Sequence, residues 1–379
     1  MLKEKLGYYL KNRYEYAILL TLYLLNLIYN YVWITNDKNP PSWDPSAHLM
    51  LSLSYYNILV NPGWDMIGKL IQVSSYYPPF YHFFTAIIYL FFGTSLTVAM
   101  MTNSIFLGIL VFSVFGIGKK IFNKETGFIA AILIFLYPSV FSFQKMYMLE
   151  LPLIAMTALS IYFLLLTDHF KNLKYSLAFG VAAALATLTK WTAVLFILGP
   201  LLCVVHDTFS PITLEQRIKT VISNFQKRKI NDTCQYCGKT LQSDYLQYEN
   251  KKFCSKNCKK KWKVENKGRE GTASDFPGIR NLFIAVFVSI FLASIWYVPH
   301  LSDVYNNVIL GQTVAGAAEG DPSILTIPSI SYYILSIVNF PVSPLLSILF
   351  FIGLVEVFYL ARSNNNNNNN NNNNQILLL

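Results

Sequence analysis

Two groups of residues in the 379-residue chain have types and spacing suited to chemistry. The first is cysteine: Cys234-x2-Cys237 and Cys254-x3-Cys258 are separated by 16 residues, and two close thiolate pairs are the ligand set of a tetrahedral structural zinc site. Gly238, after Cys237, permits the tight turn of a knuckle. A module of about 30 residues cannot build a sufficient core alone, so the metal would supply its folding energy. The fifth cysteine, Cys203, lies in an apolar segment and reads as a small buried apolar residue. The second group is a sparse set of ionisable side chains beside apolar segments: Asp44, His48, Lys145, Glu150, Lys190, His300, Glu319 and Asp321. A carboxylate can take the proton of an attacking hydroxyl, and an ammonium can stabilise charge building on a leaving group.

The elements that must position these groups are membrane helices. The chain is 54% hydrophobic, 16% aromatic and only 13% charged, with a mean hydropathy of +0.38. Soluble proteins carry about 25% charged residues, so an ordinary soluble domain is excluded, as are a disordered chain and a disulfide-dense secreted one. Crossing hydrocarbon about 30 Å thick takes roughly 20 apolar residues. Spans are expected near Tyr16–Ile34, Leu96–Gly118, Gly127–Phe143, Leu151–Thr167, Tyr175–Leu188, Trp191–Val205, Asn281–Val298 and Leu345–Leu360. The first reads as an uncleaved span with no signal peptide.

Lys3, Lys5, Lys11 and Arg13 place the N-terminus in the cytoplasm, and Lys119, Lys120 and Lys124 place the loop after Gly118 there too. An odd number of crossings must then separate Thr35 from Lys119, yet two apolar segments intervene, Pro78–Phe92 and Leu96–Gly118. The shorter, opened by Tyr76-Tyr77-Pro78-Pro79, is expected to lie in or re-enter the outer interface, so that Asn36 to about Thr94 forms one external loop. Continuing the count collects the second group on the external face and leaves 207–280 in the cytoplasm. That insertion holds 16 of the 30 basic and 8 of the 20 acidic residues, a net +8 of the chain's +10. A reducing compartment disfavours disulfides there and favours zinc.

Each ionisable residue also has a purely structural reading. Asp44 before Pro45 suits a helix N-cap. Glu150, two residues before Pro152, suits a helix dipole. Lys190 could snorkel to an interface, and His48 could be a hydrogen-bonded loop residue. In order along the chain, however, Trp43-Asp44-x3-His48, Tyr77-Pro78-Pro79-Phe80-Tyr81, Met148-Leu149-Glu150-Leu151-Pro152-Leu153, Leu188-Thr189-Lys190-Trp191-Thr192-Ala193 and Trp296-Tyr297 resemble the GT-C glycosyltransferases. The chain is more narrowly similar to the polyprenyl-phosphate-sugar branch that includes protein O-mannosyltransferases and aminoarabinose transferases. The resemblance covers roughly residues 10–206 and 281–360.

It implies an all-α polytopic membrane protein, a helical bundle of about eight spans with interfacial helices in the first external loop. The implied reaction is inverting transfer of a sugar from a polyprenyl-phosphate lipid to an acceptor hydroxyl on the outer face. Asp44 and Glu150 match the family's acidic positions and are the expected catalytic residues. His48, Tyr77, Lys145, Lys190, Trp296 and Tyr297 are expected to bind substrate, Lys190 and Lys145 at the lipid phosphate. The resemblance leaves a divalent cation beside Asp44 open. The expected organisation is a transmembrane region over 1–206, a cytoplasmic insertion over 207–280 with its zinc module at 231–263, a second transmembrane region over 281–362 with an external loop at 299–329, and a tail over 363–379. The zinc sequence Phe253-Cys254-Ser255-Lys256-Asn257-Cys258 resembles small FCS-type and TRASH-like modules.

Five lysines within Lys256–Lys263 suit anionic lipid or a protein partner, with nucleic acid the less favoured contact. The eleven asparagines of Asn364–Asn374 form a low-complexity tract with nothing to bury. The localisation expected is the cell membrane. An alternative from another class stands beside the enzyme: an inactive membrane anchor that presents its zinc module to a cytoplasmic protein or nucleic acid.

Overall fold

The computed structural model describes residues 2–37, 39–209, 237, 246–248, 251–253, 255–258, 260–261, 277–306, 326–329, 331–332 and 335. The chain divides into two units: Met1–Pro211 with Gly278–Phe350, and Ile212–Pro277 with Phe351–Leu379. Cys234, Cys254, Glu319, Asp321, the expected span Leu345–Leu360 and the asparagine tract lie outside the described residues.

The first unit is helical: α1 (Leu2–Asn36), α2 (Trp43–Val60), α3 (Met66–Gln72), α4 (Phe80–Phe92), α5 (Leu96–Ile121), α6 (Lys124–Ile134), α7 (Pro138–Phe143), α8 (Glu150–Leu166), α9 (Leu173–Thr187), α10 (Ala193–Phe209), α11 (Pro277–Tyr297) and the single turn α12 (Leu301–Asp303). Among the described residues, three stretches are long and apolar enough to cross a membrane: Tyr14–Asn36, Leu96–Ile121 and Gly278–Tyr297. The apolar helices α8, α9 and α10 are shorter, at 17, 15 and 17 residues. The stretch expected as one span, Gly127–Phe143, is broken between α6 and α7. Pro138 supplies the reason, since a proline lacks the N–H that a continuing helix needs and suits the first position of a new one.

The helices run back and forth between two ends. At one end Lys124 Nζ pairs with Glu15 at 2.7 Å, and Tyr16 packs edge-on against Phe115. At the other, Tyr29 stacks on Phe141 and Asn30 Nδ2 donates to Gln144 Oε1. Thus α1 and α5 are antiparallel, and the segment 141–150 stands at the end where α1 finishes and α5 begins. Helix α8 descends from there, with Tyr162 against Phe112, and α9 returns to deliver Leu188. The carbonyl of Leu188 accepts from the Phe80 N–H at 3.0 Å, at the start of α4. Helix α4 finishes at Phe92, four residues before α5 begins. The start of α4 therefore lies by the end of α9, and its end lies close in sequence to the start of α5.

Small residues let helices approach closely, as they do where lipid provides no hydrophobic drive. A Cβ on Gly118 would lie 2.6 Å from Gly127 Cα, where α5 meets α6, and one on Gly180 would lie 2.5 Å from the Ala285 carbonyl oxygen, where α9 meets α11. The exposed side chains are largely hydrophobic: Leu195, Phe196, Phe283 and Phe287 all stand outward, which suits a lipid-facing surface. Cys203 is one of these outward residues. The expectation of a buried Cys203 is corrected: α10 contributes only one side to the bundle and Cys203 stands on the other.

In the second unit, β1 (Leu246–Tyr248) and β2 (Lys251–Phe253) form an antiparallel hairpin with Tyr248 opposite Lys251. It ends immediately before the position of Cys254. Ser255 Oγ accepts from the Cys258 backbone N–H at 3.2 Å, and Cys237 is exposed.

Candidate functional site

The end of the bundle that gathers α1's last turn, the start of α8 and the end of α9 carries most of the candidate residues. Glu150 is the first residue of α8, where a carboxylate favours the exposed N–H groups of a helix start. Lys190 follows α9 in a turn whose backbone is held by the bond from Lys190 N–H to the Ala186 carbonyl at 3.2 Å. The two side chains meet: Lys190 Nζ lies 2.9 Å from Glu150 Oε1, both about one-third exposed. Glu150 Oε2 is buried without a hydrogen-bond partner among the described residues, so half of this carboxylate is committed and half is available.

Helix α2 brings the other carboxylate. Asp44 stands exposed in its first turn, but the N-cap is Ser42, with no side-chain capping bond. The capping reading of Asp44 is therefore corrected. One turn on, His48 is buried, with 2% of its surface exposed. Burial pushes its imidazole down to about 4; Glu150 and Asp44 act against that shift, and Lys190 acts with it. Tyr77 packs edge-on to His48 at 4.5 Å. Burial pushes its phenol up to about 12, helped by Asp44, Tyr76 and Glu150. Asp44, Glu150 and Lys190 thus all lie close enough to act electrostatically on one imidazole, and both carboxylates act on one phenol.

Helix α11 closes the site from a third side. Trp296 Nε1 donates to the Ser74 carbonyl at 3.0 Å, in the turn that leads to Tyr77. Tyr297 donates through its hydroxyl to the Thr187 carbonyl at 2.9 Å, three residues before Lys190. Trp296 also stacks on His300 at 4.8 Å. These two aromatics brace the loops that carry Tyr77 and Lys190.

Lys145 is placed differently. Its ammonium lies 3.5 Å from the ring centre of Phe141, 4.7 Å from Trp33 and 4.9 Å from Tyr29. Tyr29 and Trp33 also line a surface cavity of about 350 Å³ on α1. The cation is held against α1 by ring faces.

Several residues that build the site carry no signal of chemistry in the sequence. Asn103 on α5 accepts from the Tyr81 hydroxyl at 2.6 Å, and its Nδ2 donates to the carbonyls of Phe143 at 3.0 Å and Met146 at 2.7 Å. Ser52 and Tyr147 share a hydroxyl bond of 2.6 Å. Together they lock the segment before Glu150. His82, the partner of His48, was findable: it is an ionisable residue inside an apolar helix, a default signal of function. Among the described residues no group of three or more metal-ligating side chains occurs.

The family model for dolichyl-phosphate-mannose-protein mannosyltransferase matches residues 77–224, less than half of the chain. The matched stretch contains Tyr77, Lys145, Glu150 and Lys190, while Asp44, His48, Trp296 and Tyr297 lie outside it. The match supports a membrane glycosyltransferase of the mannosyltransferase type. No curated protein and no solved structure gives a significant match.

Proposed function

We propose that the chain transfers a sugar from a polyprenyl-phosphate lipid to an acceptor hydroxyl at the external face of the cell membrane, with inversion, and that its N-terminus is cytoplasmic. The observation that carries this reading is the convergence of Glu150, Lys190, Asp44, His48 and Tyr77 at one end of an apolar helical bundle, in and beside the stretch similar to mannosyltransferases. The acceptor hydroxyl is a weak nucleophile, and Asp44, with the free oxygen of Glu150 beside it, would take its proton as attack develops. The leaving phosphate needs positive charge. Lys190 would exchange Glu150 for that phosphate when donor binds, which would also free Glu150. Lys145, already facing three rings, takes second place at the phosphate. Trp296 and Tyr297 hold the loops on which the sugar would rest.

The insertion is proposed to hold a zinc ion through Cys234, Cys237, Cys254 and Cys258. Four thiolates are the donor set that zinc takes in structural sites, and the β1–β2 hairpin leads directly into the second cysteine pair. Zinc would supply folding energy to that module and no chemistry to the transfer.

The reading is tested in purified, membrane-inserted protein with a polyprenyl-phosphate sugar. Asp44→Asn and Glu150→Gln are each expected to lower transfer by about 100-fold or more, the size of a lost general base. Lys190→Gln is expected to lose a similar factor through the phosphate. Full activity in Asp44→Asn and Glu150→Gln together would overturn it.

A further inference from the structure

His82 lies in the first turn of α4 and is fully buried. Its Nε2 is 3.0 Å from Nδ1 of His48, and the two rings stack at 5.1 Å with 29° between their planes. Tyr77 stands 4.5 Å from one ring and 6.2 Å from the other, so one phenol packs against both.

A bond of this length between two ring nitrogens needs one donor and one acceptor, so the pair shares a single proton. Burial of both rings disfavours a charged imidazolium in either place. Two neutral arrangements remain. In one, His48 donates from Nδ1 and keeps a bare lone pair on Nε2. In the other, His82 donates from Nε2, and His48 carries its own proton on Nε2. The second arrangement leaves a bare, buried Nδ1 on His82, facing no donor. The first puts a proton on that nitrogen, which the Pro78 carbonyl favours electrostatically without forming a hydrogen bond to it. The first arrangement is therefore the favoured one.

We propose that His82 is a positioning residue: it holds the proton on His48 Nδ1, and so presents His48 Nε2 as a hydrogen-bond acceptor to a substrate hydroxyl beside Asp44 and Glu150. The hydroxyl is either on the donor's sugar ring or on the acceptor. The inference rests on the sugar-transfer reading, whose carboxylates would act on the same group. His48 orients the hydroxyl and the carboxylates take its proton. The imidazole stays neutral throughout.

The proton order is read without substrate. Nitrogen-15 solid-state NMR of the histidine-labelled full chain in bilayers, with His48→Gln to assign the signal, is expected to show His48 protonated on Nδ1 and bare on Nε2. A His48 protonated on Nε2 would overturn the inference. Kinetics supply the second arm. His82→Phe is expected to lower kcat/KM by about 10-fold to 100-fold, the loss typical when a working imidazole loses its orienting partner. His82→Gln, whose amide oxygen can accept from His48 Nδ1, is expected to recover most of that loss. A raised KM for the lipid donor alone would place the hydroxyl on the sugar, and a raised KM for the acceptor alone would place it there. Unchanged kinetics in His82→Phe, or equal loss in both variants, would refute the positioning role. Failure of the sugar-transfer reading shows differently, as a wild-type chain that transfers nothing while the NMR arm still decides the proton order.

Discussion

At the scale of single residues, the candidate site is a charge problem solved by pairing. Glu150 Oε1 and Lys190 pair at 2.9 Å, so neither charge stands alone there. His48 solves the same problem by staying neutral: burial holds it near 4 although two carboxylates lie nearby. This sets a pH dependence. The imidazole has an ordinary value of 6.5 once the chain unfolds, so between about pH 6.5 and 4 the unfolded chain takes up a proton that the native one refuses. Native stability is therefore complete above about pH 6.5 and is expected to fall as pH drops toward 4. Thermal melting in detergent across that window checks it, and His48→Gln should lessen the slope, leaving the share due to the buried His82, whose imidazole is also held down. Asp44, Glu150, Lys190, Tyr77 and His82 surround the imidazole.

At the scale of elements, the site depends on how closely helices approach far from it. Helix α11 aims Trp296 and Tyr297 because Gly180 lets it touch α9 at Ala285, and because Asn281 Nδ2 donates to the Phe170 carbonyl at 2.8 Å at the opposite end. Gly180→Val places methyl groups into the Ala285 backbone. The expected cost is about 1–3 kcal/mol, the usual price of overpacking, read as a lower melting temperature. Transfer should fall as well, since Tyr297 would leave the Thr187 carbonyl and loosen the turn before Lys190. Unchanged melting and activity would show that α11 can shift without consequence. The broken stretch Gly127–Phe143 is a further lesson at this scale. Hydropathy alone reads it as one span, but Pro138 ends the backbone ladder and frees the segment that Asn103 then fixes before Glu150.

At the scale of the whole molecule, most of the net charge lies apart in sequence from the proposed transfer site. The insertion over 207–280 holds a net +8, while the proposed transfer site uses a handful of ionisable groups at one end of the helical unit. Replacing residues 212–277 with a flexible linker is expected to leave transfer within about threefold of wild type, provided membrane insertion is intact. If the four cysteines hold zinc as proposed, elemental analysis is expected to find about one ion per wild-type chain and none after the deletion. Loss of transfer on deletion would tie the module to the reaction, whereas the inactive-anchor alternative expects no transfer even from the wild-type chain.

Some of this was legible in the residues by themselves. Apolar runs mark α1, α5 and α11, lysine placement marks which ends belong together, and Asp44, Glu150 and Lys190 are conspicuous because charges are scarce beside such runs. These are local quantities, set by neighbours along the chain and by the cost of placing a charge in hydrocarbon. The partners are not local. Glu150 finds Lys190 across 40 positions, and His48 finds His82 across 34. Lys145 turns instead to α1, 116 positions away. Only the tertiary structure decided these pairings, because helix crossing and close packing, rather than any short-range preference, set which side chains can reach each other.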